Sequence, residues 1–147
     1  MGPSLQIDPK HELVIALGDP AGIGMEVVLK ALASPVLPKS LQPLLVGCRS
    51  GLISTHARLR SQCDAPLADP RNLRIDDQPL TEDIQPGQPT VAGACSGFHW
   101  LTRAVEQLQT RGSRALVTAP IAKHLWHEAG HLYPGQTERL AELAGTE

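Results

Sequence analysis

Short, continuous apolar runs alternate along this chain with longer stretches in which apolar residues recur every three or four positions. Leu13 to Leu17 (LVIAL) is a run of the first kind, set between polar His11 and Glu12 and Gly18, and it reads as a strand buried on both faces. After the turn Gly18 to Gly24, the residues Ile23, Val27 and Ala31 stand at helical spacing with Val28 and Leu32 beside them; Ser34, Pro35 and Pro38 end that helix. Leu44 to Gly47 predicts a second strand, followed by a more polar helix around Leu52 to Leu59. From Cys63 to Val91 the chain is rich in Pro, Asp and Gln, and only Asn72 to Ile75 is strand-like. A second helical stripe runs through Phe98, Leu101, Val105 and Leu108, with Ser96 as the expected cap and Gly112 as the stop. Ala115 to Val117 then reads as another buried strand. Strands alternating with amphipathic helices predict an α/β fold, a mostly parallel sheet flanked by helices.

Composition narrows what such a fold can do. At 147 residues and 41% hydrophobic content, the chain is long enough to bury the core of one domain. Its 13 basic and 15 acidic residues leave a formal charge of -2, which offers no footprint for nucleic acid or an anionic membrane and favours a small-molecule ligand. No stretch approaches the roughly 20 apolar residues needed to span a bilayer, and the first residues lack the apolar run of a signal peptide. Cys48, Cys63 and Cys95 are far apart and form no CxxC pair, so neither a disulfide framework nor a thiolate zinc site is expected. A soluble protein of the reducing cytoplasm is the expectation.

Two stretches carry candidate chemistry. The first, Gly18 to Gly24 (GDPAGIG), lies between a predicted strand and a predicted helix, where glycines allow tight turns and let backbone N–H groups meet an anion. Its spacing fits neither the GxGxxG fingerprint nor a Walker loop, so purely geometric glycines are an equal reading. The second is the closing segment. There Thr118 to Lys123 forms a proline turn after a strand, and Gly135 to Glu138 opens a helix. Lys123 is either a cation within reach of an anionic ligand or a solvated lysine in the first turn of a helix. Thr137 is either a hydroxyl donor at a helix start or an ordinary N-cap. His124, His127 and His131 suggest a histidine ladder, but Gly130 and Pro134 are expected to break the helix before His131 joins it, so no metal site is assigned there. His99 and Trp100 are read as parts of a packed helix.

The strings GDPAGIGMEVVLKAL and LVTAPIAKHLWHEAGHLYPGQTERLAELAGT together resemble the two N-terminal signatures of the 4-hydroxythreonine-4-phosphate dehydrogenase family of vitamin B6 biosynthesis. The family pattern reads GDPAGIGPE, TAPINK, AG, FPGHTE and LA in that order. Gly18 to Gly24 and Glu26 match, as do Thr118 to Ile121, Lys123, Ala129, Gly130, Pro134, Gly135, Thr137 and Glu138. Met25, Ala122 and Gln136 depart from it.

The resemblance implies a fold like that of isocitrate and isopropylmalate dehydrogenases, present here in incomplete form. Residues 1–147 would be the N-terminal portion of a two-lobed dehydrogenase whose C-terminal half, with the histidine metal ligands, is absent. The implied reaction is oxidation of the secondary hydroxyl of 4-phosphooxy-threonine by NAD or NADP, followed by decarboxylation, with a divalent metal (Zn, Mg or Co) in the full-length family. Subunits would pair as a homodimer. By the same resemblance Gln136, Thr137 and Lys123 are substrate-binding candidates, and Asp19, Gly22 and Gly24 belong to a possible cofactor or active-site turn. No catalytic or metal-binding residue is assigned, and the chain alone is expected to be inactive. Gln136 stands where the pattern has His, so it can donate a hydrogen bond but carries no charge near neutral pH. That substitution keeps open a dehydrogenase for phosphorylated threonate or erythronate; a noncatalytic phosphate-binding remnant is the other reading.

Overall fold

A computed structural model describes residues 13–113 and 115–146. Four parallel strands form one sheet in the order β3-β2-β1-β4, namely β1 (Leu13–Ala16), β2 (Leu44–Gly47), β3 (Arg74–Asp77) and β4 (Ala115–Thr118). Ile15 sits opposite Leu45 on one side and Val117 on the other, and this register carries the apolar run of β1 through the middle of the sheet. The helices are α1 (Gly24–Leu32), α2 (Arg49–Gln62), α3 (Val91–Arg111), α4 (Lys123–Glu128) and α5 (Gln136–Ala144). α1 packs on α2, whereas α3 packs against β1, β2 and β4 and also contacts α4 and α5. Leu17, Leu29, Leu45, Leu52, Trp100, Leu101 and Trp126 are fully buried among the sheet and these helices.

β2 matches the predicted strand, and Gly112 ends α3 in the left-handed conformation at φ 64°. Three details differ from expectation. First, the buried face of α1 is Gly24, Met25, Val28 and Leu29, while Ile23 and Val27 are 59% and 48% exposed. The inward face is one residue out of step with the apolar stripe because Gly24 has to lie against β1. Second, α3 starts at Val91 with Thr90 as its cap, its hydroxyl accepting from Gly93 N at 3.0 Å. Ser96 lies inside the helix and donates to the Ala92 carbonyl instead. The first turns of α3 carry small buried residues, Gly93, Ala94 and Gly97, which leave no bulky apolar stripe to read.

The third difference is β4, an outer strand rather than a buried one. It pairs only with β1 among the described residues, and its burial alternates, with Val117 47% exposed. α3 packs against it. At the opposite edge, Asp76 of β3 accepts from Arg103 Nε (2.8 Å) and Gln107 Nε2 (2.6 Å), tying α3 to the sheet. Burial alone would raise the Asp76 pKa, but the bonds from Arg103, Gln78 and Gln107 outweigh it and hold the carboxyl below its ordinary range.

The strand order fixes where a ligand is best placed. From β1 the chain moves one way to β2 and β3, then α3 brings it back to β4 on the other side of β1. The switch point of this parallel sheet therefore lies between the carboxyl ends of β1 and β4, where open α/β sheets bind ligands.

Candidate functional site

The turns that follow β1 and β4 are bonded to each other. Ala119 N donates to Ala16 O and Asp19 N donates to Pro120 O, each at 3.0 Å. Such close approach leaves no room for side chains. Gly18 has φ +74°, and a Cβ there would fall 2.4 Å from Pro120 O; a Cβ on Gly24 would fall 2.2 Å from Leu17 O and 2.8 Å from the Ala119 Cβ. The glycines of the first turn thus seat it against the second. Gly22 lies on the exposed side, donating its N–H to Asp19 O at 3.0 Å.

Asp19 is 5% exposed. One of its carboxylate oxygens accepts from Ala21 N at 2.8 Å, and the other is buried without a partner. Desolvation pushes its pKa up, and the Ala21 bond and nearby His124 recover only part of that shift. An acidic side chain with a free lone pair is therefore held at the switch point.

The remaining candidates gather around the β4 turn. Gln136 donates through Nε2 to the Ala119 carbonyl at 3.3 Å, joining the start of α5 to that turn. The N-cap of α5 is Gly135, with no side-chain cap, so Thr137 is not the cap; it stands exposed in the first turn, among backbone N–H groups that lack intrahelical partners. Lys123 is the first residue of α4, and its side chain reaches over Gly135. A Cβ on Gly135 would lie 3.6 Å from Lys123 Nζ and 3.5 Å from Glu138 Oε2, so the two charges converge there. Arg139 holds α5 in place, donating to Thr102 of α3 (3.1 Å) and to the Tyr133 hydroxyl (3.1 Å) while pairing with Glu142. Lys123, Gln136 and Thr137 thus share one end of the sheet, with Asp19 on the adjoining turn and Gly24 packed beneath it.

This set suits an anion better than a metal. Lys123 is a cation, Gln136 is committed to Ala119, and Asp19 offers a single free oxygen, whereas a hard divalent ion needs several oxygen ligands and a zinc ion needs nitrogen or sulfur. The divalent metal implied by the family resemblance does not fit these residues. A cavity of about 520 Å³ lies on the other side of the first turn, bounded by Pro20, Met25, Ser54, Arg58, Leu80 and Ile84. None of Lys123, Gln136 or Thr137 lines it.

The histidines divide as the glycine and proline positions predict. α4 ends at Glu128, and Gly130 at φ +89° turns the chain before His131 can align with His124 and His127. His127 Nε2 donates to Tyr133 O at 2.6 Å. His131 folds back on α3 and stacks on Phe98 with ring centroids 3.6 Å apart and planes within 5°. Its Nε2 lies 3.7 Å from Cys95 Sγ, and His99 Nδ1 lies 4.0 Å from the same sulfur. Burial, then His99 and Arg139, lower the His131 pKa. Sequence reading missed this trio because it began the helix after Cys95. The legible signal was the four-residue step from Cys95 to His99, which puts both on one helical face.

Comparison with known proteins identifies the family and the fold. The model of the family described as "Pyridoxal phosphate biosynthetic protein PdxA" matches residues 39–147. A 4-hydroxythreonine-4-phosphate dehydrogenase of Synechococcus sp. strain RCC307 is 60% identical over 133 residues, covering 90% of this chain and 40% of that protein. One from Synechococcus sp. strain JA-2-3B'a(2-13) is 44% identical over 142 residues, covering 95% and 42%. Among solved structures, the 4-hydroxythreonine-4-phosphate dehydrogenase of Klebsiella pneumoniae superposes with a TM-score of 0.78 at 30% identity, covering 93% of this chain and 45% of that one. That of Burkholderia phymatum gives 0.77 at 30% identity, covering 92% and 44%. The chain spans about two fifths of the length of these curated relatives, which are matched over 40% and 42% of their sequences.

Proposed function

This chain belongs to the PdxA family of pyridoxal phosphate biosynthetic proteins, and on that premise we propose that it supplies the substrate-anion wall of a 4-hydroxythreonine-4-phosphate dehydrogenase. In this reading the whole protein oxidises the secondary hydroxyl of 4-phosphooxy-threonine with NAD or NADP, and carbon dioxide leaves. Lys123, Thr137 and the first-turn N–H groups of α5 hold an anionic group of the substrate. Gln136 fixes the start of α5 through its bond to Ala119. Asp19 and Gly22 border the same wall, and Gly24 lets it close.

The observation that supports this reading most is the meeting of Lys123 Nζ with the uncapped start of α5 at the sheet's switch point. A helix N-terminus favours negative charge, and an ammonium beside it adds a charge-assisted bond. The test is calorimetric titration with inorganic phosphate and with phosphorylated hydroxythreonine, using phosphorylated threonate as the comparison. Lys123→Met and Thr137→Val should each weaken binding; for the lysine, a charge-assisted bond of about 1.5–3 kcal/mol corresponds to roughly tenfold or more. Equal affinity in wild type and both variants overturns the assignment.

A further inference from the structure

We propose that Cys95, His99 and His131 form a binding site for one zinc ion, which clasps the segment between α4 and α5 onto α3. None of the three belongs to the family signature residues, and none contributes to the anion wall. The trio is the only group of three or more potential ligands found among the described residues, and its donor atoms all lie within 4.8 Å of one another.

The geometry is close to what zinc requires. Bond lengths of about 2.3 Å to sulfur and 2.0–2.1 Å to nitrogen, at tetrahedral angles, separate sulfur from nitrogen by about 3.6 Å and two nitrogens by about 3.4 Å. The sulfur-to-nitrogen separations here are 3.7 Å to His131 and 4.0 Å to His99, so the first closes by about 0.1 Å and the second by about 0.4 Å. The two imidazoles have further to move, and His99, which is exposed, can move by side-chain rotation. His131 is already placed: its ring lies flat on Phe98, and its backbone N–H donates to Trp126 O at 2.8 Å. Cys95 and His99 are one helical turn apart on α3, so their spacing is set by the helix.

Chemistry selects the ion. One thiolate and two imidazoles suit a borderline-soft metal rather than magnesium or calcium. Binding releases the Cys95 thiol proton to solvent, leaving a thiolate that offsets one of the two charges on zinc. Arg139 is the cation facing this site, and its pairing with Glu142 limits the repulsion. Three protein ligands leave the fourth position to water. Because His131 lies four residues before Gly135, an ion here also steadies the approach to α5.

The test uses zinc and cobalt(II) with the full 147-residue chain. One equivalent of zinc should bind, and magnesium should not compete. Cobalt should show the thiolate charge-transfer band and the visible bands of tetrahedral coordination. Cys95→Ser should abolish the charge-transfer band, and His99→Asn, at an exposed position that leaves the fold intact, should weaken zinc binding by at least about tenfold. Cys63→Ser should change neither. Absence of a thiolate band, its persistence in Cys95→Ser, or unchanged zinc affinity in His99→Asn overturns the proposal.

Discussion

Replacing Gly24 with alanine sets intrinsic propensity against tertiary packing. Gly24 opens α1 without a left-handed φ, so helix propensity alone predicts that alanine there is neutral or stabilises by up to about 1 kcal/mol. The structure predicts the opposite. The added methyl would stand 2.2 Å from Leu17 O and 2.8 Å from the Ala119 Cβ, far inside contact distance, and the first of these is a backbone atom that cannot rotate away. Overpacking of this kind costs about 1–3 kcal/mol and more when backbone must move, so a net loss of about 2 kcal/mol or more is expected after the propensity gain. With a urea slope of about 2 kcal/mol/M, the unfolding midpoint falls by about 1 M. Gly112→Ala is the control. It has φ +64° and nothing within 4 Å, so only backbone strain of about 1–2 kcal/mol applies. A Gly24→Ala variant as stable as wild type, or more stable, refutes the claim that the two turns are seated by this contact.

Asp19→Asn should raise stability at neutral pH while weakening any function that needs the carboxylate. Because burial raises the Asp19 pKa in the folded state, its contribution is full below the ordinary carboxylate pKa and is lost as pH rises to the raised value. The stability difference between Asp19→Asn and wild type should therefore grow across that window and stay constant above it; superimposable pH profiles from urea unfolding would contradict this. Gln136→His should restore a charge that glutamine lacks, tightening phosphate binding about fivefold at pH 6 relative to wild type and losing that gain by pH 8, as followed by calorimetry. A pH-independent affinity ratio would show that position 136 does not face the anion. Asp76→Ala should cost about 1 kcal/mol in urea unfolding, because it removes the bonds from Arg103 and Gln107 that tie α3 to β3 while Arg103 keeps its pair with Glu106, and it should leave phosphate affinity unchanged.

Much of the architecture was legible because the strands are buried runs punctuated by glycine. β1 and β2 have no polar residue to confuse their pattern, and Gly112 stops α3 where the sequence places a left-handed residue. What escaped was decided by tertiary contact. Small residues in the first turns of α3 and the rotation of α1 reflect close approach to the β1 turn, which periodicity cannot register. The grouping of Lys123, Gln136 and Thr137 was readable from motif order alone. The Asp19 orphan oxygen and the meeting of Cys95 with His131 were not, since they depend on segments far apart in the chain.

The central claim is that an anionic substrate group sits between Lys123 and the start of α5. The most direct test is an amide NMR titration of the chain with phosphorylated hydroxythreonine. The account predicts the largest, saturable shifts at Gln136, Thr137 and Glu138, with smaller ones at Asp19 and Ala119, and their loss in Lys123→Met. Shifts confined to Ser50 through Arg58, around the cavity on the far side of the first turn, would contradict it.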